Sequence, residues 1–213
     1  SVNTPESNNV STAEHTIALM LALARNIPQA YTTLKSGRWM RSKFKGVELY
    51  SKTVVILGLG RIGSNVATRL KALGMNVMGY DPYITDERFE RLGVKRLNSI
   101  EEVMKVADFI TIHLPKTDET VGIIGQRELA MAKPNLRIIN CARGGLVDEE
   151  ALYRALKDGR IAGAAVDVFQ KEPKEAPGGA EFAHKLLELD NVIYTPHLGA
   201  STEEAQENVG LEI

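Results

Sequence analysis

Three glycines between an apolar run and an amphipathic stretch constrain the fold of this chain more than any other feature. They stand in the hexapeptide Gly-Leu-Gly-Arg-Ile-Gly at 58–63, after the β-branched run at 53–57 and before a helix-like pattern at 62–73. Glycines mark turns in many proteins, but this spacing between a strand and a helix is typical of a βαβ unit. The first glycine permits the tight turn, the second leaves room beside the backbone, and the third lets helix and strand pack closely. The hexapeptide therefore predicts a parallel βαβ unit whose helix N-terminus attracts an anion.

Short apolar runs alternate with amphipathic stretches over the rest of the chain. The candidate strands are 53–57, 76–80, 94–96, 109–112, 136–140, 162–166 and 192–194. The candidate helices are 62–73, 86–92, 100–106, 127–131, 148–157 and 180–189, and another begins near Ser201. Continuous β-branched runs are typical of strands covered on both faces, as in parallel sheets. The alternation therefore predicts the α/β class with a doubly wound parallel sheet.

A long apolar helix precedes this alternation. Ser11 and Thr12 as N-cap residues and Gly37 as the stop predict one helix over 11–36, which Pro28 can interrupt. The segment 17–24 is apolar on all sides, so we expect it to be buried on several sides. We interpret residues 1–50 as a helix and connecting arm, and residues 51–213 as the nucleotide-binding Rossmann domain.

Charge and cysteine content exclude several functions. The net charge is −1 with 26 basic and 27 acidic residues, which offers no basic field for nucleic acid. One cysteine forms no internal disulfide and no thiolate cluster for zinc. The longest apolar run, at 17–24, is well short of the roughly 20 residues that span a bilayer. We therefore expect a protein of the reducing cytoplasm, without membrane, nucleic-acid or metal partners.

An acidic residue ends the second predicted strand. Asp81 lies eighteen residues after Gly63 and precedes Pro82. An acid at this place accepts hydrogen bonds from an adenosine ribose and repels a 2′-phosphate, which favours NAD over NADP as the cofactor. Two alternatives stay open here. The glycines and Asp81 serve only packing and a turn, or the chain is a methyltransferase, a class that also combines a glycine-rich turn with an acidic strand end.

Polar residues also follow the predicted strands at 109–112 and 136–140. Ligands of open α/β sheets bind beyond the carboxyl ends of the strands, so His113, Cys141 and Arg143 face one crevice. The guanidinium of Arg143 suits bidentate binding of a substrate carboxylate, with a surface ion pair as the alternative. We interpret His113 as a structural residue or a cofactor contact, and Cys141 as a packing residue.

Two further residues form a candidate proton-transfer pair. Glu172 follows the strand at 162–166, and His197 follows the strand at 192–194. A histidine beside a carboxylate can move a proton near neutral pH. Spacing does not prove that the two meet, and each has a structural alternative. We interpret His15 and His184 as structural, and no histidine or carboxylate spacing indicates a metal site.

Together these motifs resemble the D-isomer-specific 2-hydroxyacid dehydrogenases over essentially the whole chain. The resemblance rests on 58–63, Tyr-Asp-Pro at 80–82, Asn-Cys-Ala-Arg-Gly-Gly at 140–145, Asp-Val-Phe with Glu-Pro at 167–173, and Thr-Pro-His-Leu-Gly-Ala at 195–200. The residues at 141–145, Cys-Ala-Arg-Gly-Gly, and at 197–202, His-Leu-Gly-Ala-Ser-Thr, resemble the branch of the family that oxidises phosphoglycerate. Glyoxylate/hydroxypyruvate reductases, D-lactate dehydrogenases and NAD-sensing corepressors of the same fold are the alternatives. A methyltransferase would explain neither Arg143 nor the pair Glu172 and His197.

The resemblance implies a role for each matching residue. Arg143 binds the substrate carboxylate and polarises C2, His197 is the acid/base at the C2 oxygen, and Glu172 orients His197. The residues implied in NAD binding are Gly58, Gly60, Arg61, Ile62, Gly63, Asp81, His113, Pro115, Thr120, Cys141, Ala142, Arg143, Asp167, His197, Gly199 and Ala200.

The resemblance also implies partners. The family closes its substrate site, for a small 2-hydroxy acid, with a second domain of the same polypeptide, which is absent from this chain. We therefore expect the chain to bind NAD but to be nearly inactive in isolation. Pairing of two chains through residues 11–50 is implied as well, and it would explain the apolar segment 17–24. The stretch between Glu172 and His197, with glycines at 178–179, is longer than in compact members of the family.

Overall fold

A computed structural model describes residues 7–174 and 176–210. The strands are β1 (Thr53–Leu57), β2 (Asn76–Tyr80), β3 (Lys95–Arg96), β4 (Phe109–Ile112), β5 (Arg137–Asn140), β6 (Gly163–Val166) and β7 (Val192–Tyr194). The helices are α1 (Ser7–Arg25), α2 (Ile27–Lys35), α3 (Arg61–Ala72), α4 (Asp86–Leu92), α5 (Ile100–Val106), α6 (Gln126–Met131), α7 (Glu149–Lys157) and α8 (Glu203–Gly210). Two 3₁₀ turns lie at Arg41–Lys43 and Lys185–Glu188. No helix among the described residues is long and apolar enough to cross a membrane.

All seven strands form one parallel sheet in the order β3-β2-β1-β4-β5-β6-β7. The chain runs outward from β1 to β3, returns to place β4 on the other side of β1, and then runs outward to β7. This reversal leaves a crevice beyond the carboxyl ends of β1 and β4, where ligands of such sheets bind. The predicted doubly wound α/β fold is confirmed.

Both faces of the sheet are covered. In β1, Val54 and Ile56 pack towards α1 and α3, while Val55 and Leu57 pack towards the opposite face, where α5, α6 and α7 lie. All four side chains are completely buried. Burial on both faces is the physical reason for the unbroken β-branched run, because neither face of the strand meets water.

The predicted helix over 180–189 is wrong. The segment contains only the 3₁₀ turn Lys185–Glu188, and His184 begins it by accepting a hydrogen bond from the Leu186 amide at 3.2 Å. Phe182 and His184 stack with their ring centroids 6.0 Å apart, and both contact Phe169. Residues two apart face the same side only in extended backbone, so docking on Phe169 decides the conformation.

The predicted single helix over 11–36 is also wrong in its details. Ser11 and Thr12 lie buried inside α1 rather than at its N-cap. The break falls at Asn26, whose φ of 54° is left-handed, and this residue separates α1 from α2. Pro28 lies in the first turn of α2, where its lack of an N–H group costs no helical hydrogen bond.

Helix α1 is built into the core by one face only. Met20 and Leu23 are buried against the sheet face that α3 also covers, whereas Leu21 is 39% exposed. The expectation of burial on several sides is therefore not met within this chain. The outer side of α1 and α2 instead presents apolar side chains to solvent.

We expect Met20→Ala to lower the free energy of unfolding by about 2–5 kcal/mol, because it opens a cavity under the sheet. Leu21→Ala is the matched control on the exposed side and should change it by about 0.5 kcal/mol or less. Urea unfolding, at protein concentrations where the midpoint is independent of concentration, measures both. An equal decrease in the free energy of unfolding for both variants would show that α1 does not pack on the sheet as described.

Candidate functional site

The glycine-rich turn joins β1 to α3 under tight steric limits. Gly58 has a φ of +90°, and a Cβ there would lie 2.7 Å from the His113 carbonyl oxygen. A Cβ on Gly63 would lie 2.0 Å from the Gly58 carbonyl oxygen. Gly60 is different, since a Cβ there would meet nothing within 4 Å and α3 begins without a side-chain cap. Open space at a free helix N-terminus fits a diphosphate.

Asp81 lies beside this turn and is nearly buried. One of its carboxylate oxygens accepts the Leu59 amide at 2.8 Å, and the other accepts the Tyr83 amide at 2.9 Å. The carboxylate therefore ties the end of β2 to the glycine-rich turn. Its contact with an adenosine ribose stays a prediction.

The loop after β4 forms the opposite side of the crevice. Nε2 of His113 lies 2.8 Å from the Thr111 hydroxyl, and desolvation lowers the pKa of His113 to about 3, so its ring is neutral. The Thr120 hydroxyl donates to the Pro115 carbonyl at 2.6 Å and accepts the Thr117 amide at 2.8 Å. The Thr120 side chain thus stabilises the loop by hydrogen bonds to backbone groups of Pro115 and Thr117.

Arg143 lies in the loop after β5 and is exposed. The Asn140 side chain accepts the Ala142 amide and donates to the Arg143 carbonyl, both at 3.1 Å. A Cβ on Gly144 would lie 1.9 Å from the Phe169 carbonyl oxygen, so this loop packs directly on the loop after β6. The Arg143 guanidinium donates to the Ala142 carbonyl at 2.7 Å and still faces solvent, where an anion can reach it.

The structure brings Glu172 and His197 together. Nδ1 of His197 lies 2.8 Å from a carboxylate oxygen of Glu172, whose other oxygen accepts the Phe169 amide at 3.0 Å. The carboxylate is an acceptor, so the proton of a neutral His197 sits on Nδ1 and Nε2 is free to accept another. His197 is 48% exposed, and that nitrogen can therefore meet a substrate.

Asp167 holds the loop that carries His197. Its carboxylate is fully buried and accepts the Thr195 hydroxyl at 2.5 Å, the Leu198 amide at 2.7 Å and the Gly199 amide at 2.9 Å. Burial alone raises the pKa of Asp167, but hydrogen bonds from His15, Thr195 and Leu198 outweigh it and hold the pKa below the usual range. The carboxylate therefore stays charged and keeps the loop in place.

His15, Cys141 and Asp167 form a cluster that sequence reasoning missed. Their potential ligand atoms lie within 4.8 Å of one another. Burial raises the pKa of the Cys141 thiol to about 12, and Asp167 is already engaged by several donors. The cluster joins helix α1 to the loops after β5 and β6 through largely buried side chains. No local sequence pattern predicts this cluster, because its members come from α1, the loop after β5 and the loop after β6.

The family comparison agrees with this geometry. The family model for "D-isomer specific 2-hydroxyacid dehydrogenase, NAD binding domain" matches residues 17–199. The chain belongs to this family. The matched span contains the glycine-rich turn, Arg143 and the Glu172–His197 pair, and it confirms the resemblance drawn from the motifs. The residues of the turn and of the uncapped α3 N-terminus fit the NAD that names the domain.

Relatives share the sequence over almost all of this chain. It is 56% identical over 210 residues to the D-3-phosphoglycerate dehydrogenase of Methanocaldococcus jannaschii, covering 98% of this chain and 38% of that protein. It is 49% identical over 212 residues to the D-3-phosphoglycerate dehydrogenase of Homo sapiens, covering 100% of this chain and 38% of that protein. The chain thus spans less than half the length of these curated relatives.

Solved structures with the same fold come from other members of the family. A D-lactate dehydrogenase from Aquifex aeolicus, complexed with NAD and lactic acid, has a TM-score of 0.86 and 35% identity. It is matched over 98% of this chain and 65% of its own. A glyoxylate reductase from Paecilomyes thermophila also has a TM-score of 0.86 and 35% identity, over 98% of this chain and 61% of its own.

Two alanine substitutions separate the packing glycine from the ligand-facing glycine. We expect Gly63→Ala to lower the free energy of unfolding by about 2–3 kcal/mol, because its methyl group meets the Gly58 backbone. Gly60→Ala should lower it by less than about 1 kcal/mol yet weaken NADH binding, because the methyl group enters the open space. Chemical denaturation and NADH fluorescence titration measure the two effects. Equal NADH affinity of Gly60→Ala and the parent protein would contradict this assignment.

Proposed function

We propose that this chain is the NAD-binding domain of an NAD-dependent D-3-phosphoglycerate dehydrogenase. The enzyme would oxidise 3-phospho-D-glycerate to 3-phosphohydroxypyruvate, the first step of serine biosynthesis. The observation that carries the proposal is the Glu172–His197 pair at 2.8 Å, beside the loop of the exposed Arg143, which packs on Phe169. The phosphoglycerate substrate is supported by relatives of that name at 49–56% identity.

The proposed reaction needs a base, a carboxylate anchor and a hydride acceptor. Nε2 of His197 takes the proton of the C2 hydroxyl, and Glu172 holds Nδ1–H and balances the imidazolium charge. Arg143 binds the substrate carboxylate and orients C2. Bound NAD supplies the hydride acceptor. The backbone amides of Arg61 and Ile62, at the uncapped start of α3, would hold its diphosphate.

Asp81 supports the choice of NAD over NADP. Its charged carboxylate is fixed by two backbone amides at the end of β2, so it cannot turn away from a ribose placed there. A 2′-phosphate would meet this negative charge. We also propose that Pro115 and Thr120, in the loop after β4, contact the adenosine side of the cofactor.

The substrate and the partner domain complete the proposal. A substrate-binding domain of the same polypeptide would close over Arg143 and His197 and bind the phosphate group of the substrate. The enzyme would work in the cytoplasm, where the one cysteine of this chain, the buried Cys141, stays reduced. A panel of 3-phosphoglycerate, D-lactate and glycolate, offered with NAD to the full-length protein, tests the substrate. Preference for D-lactate or glycolate would replace the phosphoglycerate hypothesis, and no turnover with any of them would favour an NAD-sensing corepressor.

We expect His197→Ala and Arg143→Ala in the full-length protein to lower kcat/KM by about 10²–10⁴-fold, because each removes a group that acts on the substrate. NADH affinity should change far less than kcat/KM, since both substitutions leave the glycine-rich turn intact and each residue would meet the cofactor only at its nicotinamide end. Arg127→Ala, at an exposed arginine on α6, is the matched control and should keep full activity. Unchanged kinetics of either test variant would remove that residue from the proposed mechanism.

We also propose that two chains pair through residues 11–50. This segment exposes large apolar side chains, including Trp39 at 81% and Tyr31 at 64% exposure. The others are Leu21, Ile27, Leu34, Met40 and Tyr50. They are contributed by α1, α2 and the arm that follows α2. A second copy of the same surface would bury them symmetrically.

A double substitution on α2 tests this pairing. Tyr31→Glu with Leu34→Glu places two charges on the exposed apolar side and should shift the protein from dimer to monomer at micromolar concentration. Leu73→Glu, at an exposed apolar residue outside residues 11–50, should leave the oligomeric state unchanged. Size-exclusion chromatography with light scattering gives the molar mass. A double variant that stays dimeric would place the interface elsewhere.

A further inference from the structure

We propose that His15 is a positioning residue for the His197 loop, which we define as residues 195–199. It would hold this loop through Asp167 and Thr195, and so place the imidazole of His197 for proton transfer. The inference rests on the proposed acid/base role of His197. It extends that site to helix α1, which contributes no residue that touches the reacting atoms.

Helix α1 brings His15 to the carboxyl ends of two strands that are distant in sequence. Nε2 of His15 lies 3.2 Å from a carboxylate oxygen of Asp167, which follows β6, and 3.1 Å from the hydroxyl of Thr195, which follows β7. The His15 side chain is 19% exposed and the Asp167 side chain is completely buried. The contact is therefore shielded from water, where hydrogen bonds to charged groups are strongest.

The three side chains form a closed triangle with one consistent set of donors. The Thr195 hydroxyl donates to Asp167 at 2.5 Å. The lone pairs of the Thr195 oxygen are then free to accept a hydrogen bond from His15. The Nε2–H group of His15 points between that hydroxyl and the Asp167 carboxylate. The other hydrogen bonds that Asp167 accepts among the described residues come from the His197 loop itself. His15 thus adds a hydrogen-bonded link from this loop to helix α1.

The conformation of His197 shows why the loop needs external support. Its φ is 56°, in the left-handed region that a non-glycine residue adopts only at an energetic cost. Its amide donates to the Asp167 carbonyl at 2.9 Å, so the backbone and the side chain of Asp167 both hold the loop. Ser11 of α1 also reaches the segment after the loop, with its hydroxyl 2.8 Å from that of Thr202. Helix α1 is therefore a support for the imidazole and not only a cover for the sheet.

Three variants of the full-length protein test the proposal. His15→Leu removes the donor and keeps an apolar side chain. His15→Gln keeps an N–H donor, because the glutamine Nε2 occupies nearly the place of the imidazole Nε2. Glu14→Gln is the control, since it removes a charge from the exposed side of the same turn of α1.

Two measurements are made on each variant. Steady-state kinetics with 3-phosphoglycerate and NAD gives kcat and KM. Hydrogen exchange of the Leu198 and Gly199 amides reports on the loop without any need for activity, with β1 amides as the internal reference for global unfolding.

We expect His15→Leu to lower kcat by about 10-fold or more, because small misplacements of a catalytic group are costly, with little change in KM for NAD. Exchange at Leu198 and Gly199 should rise about 10-fold relative to β1. His15→Gln should restore most of the kcat and of the protection from exchange, and Glu14→Gln should change neither.

Exchange that rises equally in β1, or a His15→Leu variant with parent-like kcat and exchange, would overturn the proposal. If the parent protein oxidises none of the hydroxy acids, the proposed function fails, while selective loosening of the loop in His15→Leu would still establish the link to α1.

Discussion

The parallel direction of all seven strands is the constraint on which this site depends. Because every strand points the same way, the residues that directly follow the strands lie at one edge of the sheet. Gly58 follows β1, Asp81 follows β2, His113 follows β4, Asp167 follows β6, and Thr195 follows β7. A single antiparallel strand would carry its loop to the other edge. The cofactor turn and the proton-transfer pair are therefore neighbours as a result of topology, although Gly58 and His197 lie 139 positions apart in the sequence.

Buried carboxylates hold the loops at this edge in shape. Asp81 accepts two backbone amides and fixes the glycine-rich turn against β2. Asp167 accepts two backbone amides and a hydroxyl and fixes the loop that carries His197. Asp108 does the same at the opposite edge, where it accepts the Thr53 amide and pairs with Lys133 at 2.6 Å. Hydrogen bonds to a charged carboxylate are strong, so the site is organised before any ligand arrives.

The sequence predicts the structure well where a local pattern of residues is compatible with only one backbone conformation. Gly58 and Gly63 were predicted as turn and packing glycines, and the short distances at both positions agree with this. The predicted strands agree with the structure to within one residue, because short apolar runs between turn residues favour strands when β-branched residues are frequent in them. The prediction of a helix over 180–189 is wrong, because Phe182 and His184, two positions apart, both contact Phe169. This spacing fits extended backbone and not a helical period. Met20 and Leu21 looked alike in sequence, and only packing on the sheet separated the buried residue from the exposed one.

The sequence by itself determined the doubly wound sheet, the cofactor turn and the residue types of the site, because each follows from a local pattern of glycines, apolar runs and strand ends. Only the tertiary structure decided which side chains meet. It placed Glu172 against His197 and fixed Nδ1 as the nitrogen that carries the proton. It also brought His15 to Asp167 across 152 residues, a contact for which no local pattern exists. These partners are far apart in sequence, so only the packing of α1 and of the strand-end loops on one sheet brings them within hydrogen-bond distance.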